Sequence, residues 1–271
     1  MSRTRKPMAS DMGWSTSDRI VVRGKDLPTE VLGHVNLGDM AFLEVMGRLP
    51  TPQESIVFNA VAVTLVEHGM TPSAIVARLT YLGAPEAVQG AIAAGVLGIG
   101  SVFVGTTEGA ALLLKEHLGD LETDDELLDR AREVVAAYRQ EGRALPGLGH
   151  PVHKPEDPRT ARLFQIAEEN GLRGRYVRLM ELVHQEACRQ SGKALPLNAT
   201  GAIGALLCEL DFPVEVARGL GVAARAIGLM GHVREEMERP LAREVWFRVE
   251  DEVVSAHLHS AGEDTATVPS P

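Results

Sequence analysis

Aromatic side chains are scarce. Two tryptophans, three tyrosines and six phenylalanines make up 4% of the 271 residues, so packing must rest on Ala, Leu, Val and Gly. Cysteine is nearly absent as well. Cys188 and Cys208 stand in no metal-type spacing, and a chain of this size needs no disulfide staple, so both read as reduced core or boundary residues. No uninterrupted apolar run reaches about 18 residues, so no membrane span is expected. The basic opening MSRTRKPMASDMGWSTSD has no apolar stretch behind it and does not read as a secretory signal. A cytoplasmic protein is the expectation. Positive charge is in deficit: 27 Lys and Arg face 37 Asp and Glu, a net charge of −10. General nucleic-acid binding is not expected, because phosphate contact depends on clustered cations. A local basic pocket for a small anion stays open.

What is present is helical. Apolar residues make up 45% and charged residues 24%, ordinary values for a folded chain. RIVVRGKDL (19–27) is a β-branched run closed by Gly24 and Asp26, the one convincing strand candidate and the basis for a short N-terminal β-hairpin. Thr51, Pro52 and Glu54 form a capping box with proline at the first helical position, opening a helix to Gly69. Its IVFNAVAVTLV is apolar nearly all round, which predicts a helix buried in the core. Thr71-Pro72 repeats the start signal for a helix to about Leu82. The Ala- and Gly-rich segment 84–105 permits close helix approach. Residues 123–141 place acids early and arginines late, matching the helix dipole. Asp157-Pro158 starts another helix, and 176–192, 198–212 and 213–239 supply more. The polar tails 1–18 and 259–271 are expected to be disordered. No internal repeat appears. The sum is an all-α architecture with one short N-terminal β-hairpin.

One stretch invites chemistry. GLGHPVHKPEDPR (147–159) concentrates two histidines, a lysine, an arginine and three prolines, and it reads as a half-built metal site, an anion pocket or a helix connector. His150 and His153 lie three apart on a proline-rich loop without a partner cysteine or clear acidic ligand, so no metal is expected. An arginine fork such as Arg159 binds a carboxylate bidentately, and an imidazole polarises a carbonyl or takes a hydroxyl proton near neutral pH. Gly147 and Gly149 let the backbone approach a ligand. Arg225, amid GVAARAIGLMG, is out of place on a solvated face.

GRLPTPQE (47–54), GLGHPVHKPEDPR (147–159), LNATGAIG (197–204), AARAIGLMGHVREE (223–236) and ERP (238–240) occur in the order and approximate spacing of the citrate synthase superfamily. Over roughly residues 19–245 the chain resembles it, most of all the citryl-CoA lyase branch, and it is also similar to the C-terminal lyase module of ATP-citrate lyase. The resemblance implies a citrate synthase-like two-domain helical fold. Residues 19–105 and 213–258 would form a large domain and 106–212 a small one, in a homodimer with the substrate in a cleft that closes over it. It implies that His150 hydrogen-bonds the oxaloacetate carbonyl or the citryl-CoA hydroxyl, that Arg159 and Arg225 hold carboxylates, and that His68 binds substrate. Without the resemblance, His68 reads as a histidine at a helix C-terminus. Arg239 resembles an arginine donated across the dimer interface, with a surface salt bridge as the other reading. Lys154 and Lys193 are candidates for CoA contacts, or solvated loop lysines.

Two positions depart from the pattern. Val104 stands where the synthases place an enolate-stabilising histidine, and Thr200 where they place the catalytic aspartate. A hydroxyl is no carboxylate-like base near pH 7, so Thr200 is expected to position a water, or Glu108 to substitute. The implied activity is a carbon–carbon lyase splitting citryl-CoA, or a related 3-hydroxy-3-carboxyacyl-CoA, into oxaloacetate and acetyl-CoA. No cofactor is implied beyond CoA carried by the substrate. The alternatives are an aldol or Claisen ligase for another 2-oxo acid and a catalytically silent acyl-CoA or carboxylate-binding subunit. Expected partners are therefore acyl-CoA and small carboxylates, with neither nucleic acid nor membrane.

Overall fold

Polar residues ahead of the helices do the starting. In the computed structural model, which describes residues 8–100, 102, 105–150 and 154–261, three short strands lead: β1 (Gly13–Ser15), β2 (Ile20–Val22) and β3 (Lys25–Asp26). Eleven α-helices follow among the described residues: α1 (Leu37–Met46), α2 (Pro52–Val66), α3 (Pro72–Gly83), α4 (Val88–Leu97), α5 (Gly105–Leu118), α6 (Asp124–Gln140), α7 (Pro158–Glu169), α8 (Arg175–Ser191), α9 (Ala199–Glu209), α10 (Ala217–Glu238) and α11 (Ala242–Ala261). The all-α expectation holds.

The Thr51 amide donates to Glu54 Oε2 (2.7 Å) and the Glu54 amide to Thr51 Oγ1 (3.2 Å), the reciprocal box that satisfies two orphan donors at the start of α2. Thr123 and Glu126 repeat it at α6. Helix α2 ends at Val66, and it is not buried all round. Val57, Phe58 and Val61 face the core, while Ile56 and Val63 remain 52% and 70% exposed. The helical period gives one stripe to the interior, and the described residues do not cover the rest of the apolar run.

The small sheet is three-stranded, in the order β1-β2-β3 and antiparallel throughout. It extends beyond the expected hairpin because residues 16–19 form a closed turn: the Thr16 amide donates to Arg19 O (2.8 Å) and Thr16 Oγ1 to Asp18 Oδ1 (2.8 Å). Arg23 and Gly24, at φ 49° and 76°, turn β2 into β3.

By internal packing the chain divides into two units, Met1–Thr64 with Gly105–Arg218, and Leu65–Val104 with Gly219–Pro271. In the first, α9 is the centre. It packs on α5, α7 and α8, and every residue from Gly201 to Cys208 is buried. Small residues allow this: a Cβ on Gly204 would lie 2.8 Å from Ala110 Cβ and 2.9 Å from Thr107 O. Three of the six phenylalanines, Phe42, Phe58 and Phe212, cluster here with ring centroids 5.2 and 5.7 Å apart. In the second unit α3 packs on α4 and on α11, and Ala74, Ala77 and Leu229 form a core joined by Ile92 and Val96. Cys208 is buried, Cys188 partly so, and both are free. Among the described residues no helix is long and apolar enough to cross a membrane.

Candidate functional site

The first unit builds its site from three chain segments that stitch together. Gly147 and Gly149, at φ 85° and 84°, adopt a left-handed backbone that side chains resist. The loop lies against the residues before α9: Gly149 N–H donates to Pro196 O (2.8 Å), Asn198 N–H to Gly147 O (3.0 Å), and Asn198 Nδ2 to Gly149 O (2.6 Å). A Cβ on Gly147 would stand 2.5 Å from Gly201 Cα, so glycine is required by close approach as well as by φ. This scaffold presents His150. Residues 151–153, including His153, and Val104 lie outside the described residues.

Asp157 is the hub. Its carboxylate caps α7 by accepting the Arg159 amide (3.1 Å), takes Arg159 Nε (3.0 Å) and Nη2 (2.8 Å) side by side, and accepts Ala199 N–H (3.0 Å) at the start of α9. Burial pushes its carboxyl up, but the Arg159 side chain, the Ala199 amide and the Arg159 amide outweigh that and hold it at about 2. A guanidinium carries five N–H donors. Two go to Asp157, and Nη1 has no hydrogen-bond partner among the described residues. Thr160 Oγ1 closes the assembly by donating to Leu197 O (2.9 Å).

Asn198 caps α9, accepting the amides of Thr200 (3.0 Å) and Gly201 (3.2 Å) on Oδ1. Thr200 sits beside the loop, and its hydroxyl donates to the same Oδ1 (2.7 Å). That proton is committed, which leaves the oxygen as an acceptor. Glu108 lies in the first turn of α5, with Oε2 2.5 Å from Arg218 Nη2, so its charge already has a partner. Lys154 and Lys193 are exposed.

The second unit carries the other candidates. His68 follows α2, next to Gly69 at φ 71°. Arg225 lies on α10, and its Nη1 is buried without a hydrogen-bond partner among the described residues. Burial lowers the affinity of this guanidinium for its proton, and Glu67 opposes that. Arg239 is at the exposed end of α10, paired with Glu235 at 3.2 Å. Sequence reasoning passed over Asp157 and Asn198 as more than helix caps, although their places at Asp-Pro and ahead of α9 were visible. It also passed over Arg78, His232 and Glu236, which form a buried network that reaches the half-exposed Glu67. Among the described residues no group of three His, Cys, Asp or Glu could hold a metal ion.

The fold is citrate synthase-like. The citryl-CoA lyase of Hydrogenobacter thermophilus superposes with a TM-score of 0.78 at 28% identity, over 98% of this chain and 96% of that one. The ATP citrate lyase of Methanothrix soehngenii, solved with citrate and coenzyme A, shares the fold with a TM-score of 0.71 at 20% identity, over 87% of this chain and 40% of that one. The family model for the citrate synthase C-terminal domain matches residues 35–245, and the chain belongs to that family. An alkylcitrate synthase of Talaromyces stipitatus is 29% identical over 200 residues, 71% of this chain and 42% of that protein. The chain spans about a third to a half of the curated relatives it matches.

Proposed function

We propose that this protein is a carbon–carbon lyase of the citryl-CoA lyase type, cleaving citryl-CoA or a related 3-hydroxy-3-carboxyacyl-CoA into oxaloacetate, or another 2-oxo acid, and an acyl-CoA. The observation that carries this reading is the likeness to a citryl-CoA lyase along nearly the full length of both chains. Arg159, oriented by Asp157, takes one carboxylate through its Nη1 edge, and Arg225 takes another. His68 adds a further substrate contact. His150 receives the proton of the tertiary hydroxyl. The carbon–carbon bond breaks, the oxygen keeps its electrons as a carbonyl, and the bond pair passes to the thioester as an enolate. A proton then reaches the enolate carbon. Thr200 cannot supply it as a carboxylic acid would; its hydroxyl holds a water that gives the proton, or Glu108 leaves Arg218, takes a proton from solvent and delivers it, and the proton on His150 passes to solvent to restore the balance. CoA enters as part of the substrate, with Lys154 and Lys193 as its contacts, and Arg239 serves a partner copy in a homodimer.

A second reading rests on Thr200 and Val104: a subunit that binds acyl-CoA or carboxylates without turnover. The test mixes the protein with citryl-CoA and follows oxaloacetate release, with His150→Ala as control. Release that depends on His150 is the expected result. Tight binding of CoA esters without release would favour the silent subunit. Release only with a longer acyl chain would move the reading toward alkyl-substituted substrates.

A further inference from the structure

The largest fully buried side chain of the second unit is a charged one. Arg78, on α3, is 1% exposed. Its Nη1 donates to Glu236 Oε2 (2.9 Å), Nη2 also pairs with Glu235, and Nε donates to His232 Nδ1 (3.2 Å), with Nη2 3.0 Å from the same nitrogen. A guanidinium gives hydrogen bonds and accepts none, so Nδ1 of His232 carries no proton and the imidazole holds its hydrogen on Nε2. That hydrogen points at Glu67 Oε1, 3.1 Å away. The same Oε1 accepts the amides of His68 (2.9 Å) and Gly69 (2.5 Å).

The tautomer therefore gives the chain a direction, from Arg78 through His232 to Glu67, with Glu236 as a second acceptor of the guanidinium, and it ends at the turn that carries His68. Burial pushes the Glu67 carboxyl up, but the Gly69 amide, His232 and the His68 amide outweigh it and keep the group below the usual carboxylate range. Glu67 is also the carboxylate whose charge acts on the half-buried Arg225. Burying an ion network costs more than packing apolar groups of the same volume. Here it stands directly behind two residues of the carboxylate-binding set.

We propose that Arg78 and His232 are positioning residues that act through Glu67, fixing the 67–69 turn and so setting His68 and Arg225 for a carboxylate ligand. The proposal rests on the functional reading above for the ligand's chemistry, and on the second unit alone for its geometry. His232→Leu removes both links of the imidazole. His232→Gln can still donate to Glu67 and accept from Arg78. Glu67→Gln keeps an acceptor but loses the charge, on a half-exposed side chain whose replacement leaves the core intact.

The experiment measures amide hydrogen exchange at His68 and Gly69, KM and kcat for citryl-CoA, and Tm. His232→Leu is expected to speed exchange at those two amides by about 10-fold or more and to raise KM by about 10-fold or more, with kcat within about 3-fold. His232→Gln should recover most of both. Should His232→Leu not fold, Glu67→Gln carries the test, with a raised KM and faster exchange expected. Unchanged exchange and KM in the folded variants would overturn the proposal, as would losses in kcat and KM that follow Tm without rescue by glutamine. If the wild type cleaves no citryl-CoA, the functional reading fails, and the exchange arm together with citrate titration by calorimetry still decides the positioning role.

Discussion

Under the proposed function, Arg159 belongs to the fold and to the ligand at once. Asp157 occupies its Nε and one Nη2 proton in a parallel pair of hydrogen bonds, which fixes the plane of the guanidinium before any ligand arrives. A lysine has one ammonium on a flexible stem and cannot serve Asp157 and a substrate carboxylate in two fixed directions. Arg159→Lys is therefore expected to raise KM for citryl-CoA by about 10-fold or more, roughly 1.4 kcal/mol of lost binding. Steady-state kinetics with a matched Tm measurement checks this. An unchanged KM in a folded variant would remove Arg159 from the substrate. Arg159 and His150 stood out as candidates in the sequence because the Gly-His-Pro and Asp-Pro-Arg stretches are unusual in type and spacing. Asp157 as the shared anchor was not, because its third partner, the Ala199 amide, lies 42 residues away along the chain.

Among the elements, most helices announced by their own residues were read, and one started from elsewhere was missed. The box at Thr51–Glu54 gave α2, and the run of early acids and late arginines gave α6, whose Thr123–Glu126 box was not read. Helix α11 starts differently: Glu236 Oε1 accepts the amides of Leu241 (2.9 Å) and Ala242 (2.8 Å), so its cap belongs to the preceding helix. Helix α1 did carry a local signal, Asn36 accepting the Asp39 amide (2.8 Å) and Gly47 ending it at φ 70°, that the reading overlooked. Glycines divide in the same manner, by what lies near them in space. Gly204 faces Ala110 Cβ at 2.8 Å, Thr107 O at 2.9 Å and Ala111 N at 3.0 Å, mostly backbone that cannot give way. Gly204→Ala should force α5 from α9 and cost about 1–3 kcal/mol. Gly90, in α4, meets only Ala87 Cβ at 3.5 Å, so Gly90→Ala should be neutral or stabilising by up to about 1 kcal/mol. Urea unfolding of the two variants separates the cases, and equal effects would refute the close helix approach at Gly204.

For the whole molecule, the all-α class and the family were legible because five motifs in order leave little room for another fold. His150, Arg159 and Thr200 belong to one unit and His68 and Arg225 to the other; no local spacing announces such a division, and in the sequence it came only with the resemblance. Charge gives the molecule a further property that can be worked out from named groups. Glu54, Asp157 and Glu186 are each held at about 2. Arg48 does this for Glu54 and Arg189 for Glu186, while at Asp157 Arg159 and two amides outweigh burial. The folded state favours their charged forms and the unfolded chain titrates near 4, so their stabilisation is complete above about pH 5 and disappears as pH falls from there toward 2. Asp157 has a fully buried side chain and should contribute about 2 kcal/mol. The other two should give about 1–2 kcal/mol each, because Arg48 and Arg189 are open to solvent. Glu209 works in the opposite sense. Burial raises its carboxyl despite the amides it accepts, so it favours the folded state toward low pH and blunts the fall. Asp157→Asn and Glu186→Gln are expected to be less stable than wild type at pH 7 by these amounts. In urea titrations at successive pH values, the gap should close toward zero by about pH 2, where the native carboxylates are themselves half protonated. A gap that stayed constant from pH 7 to pH 2 would mean that the substitutions had disturbed packing, and that ion pairing contributes little at these sites.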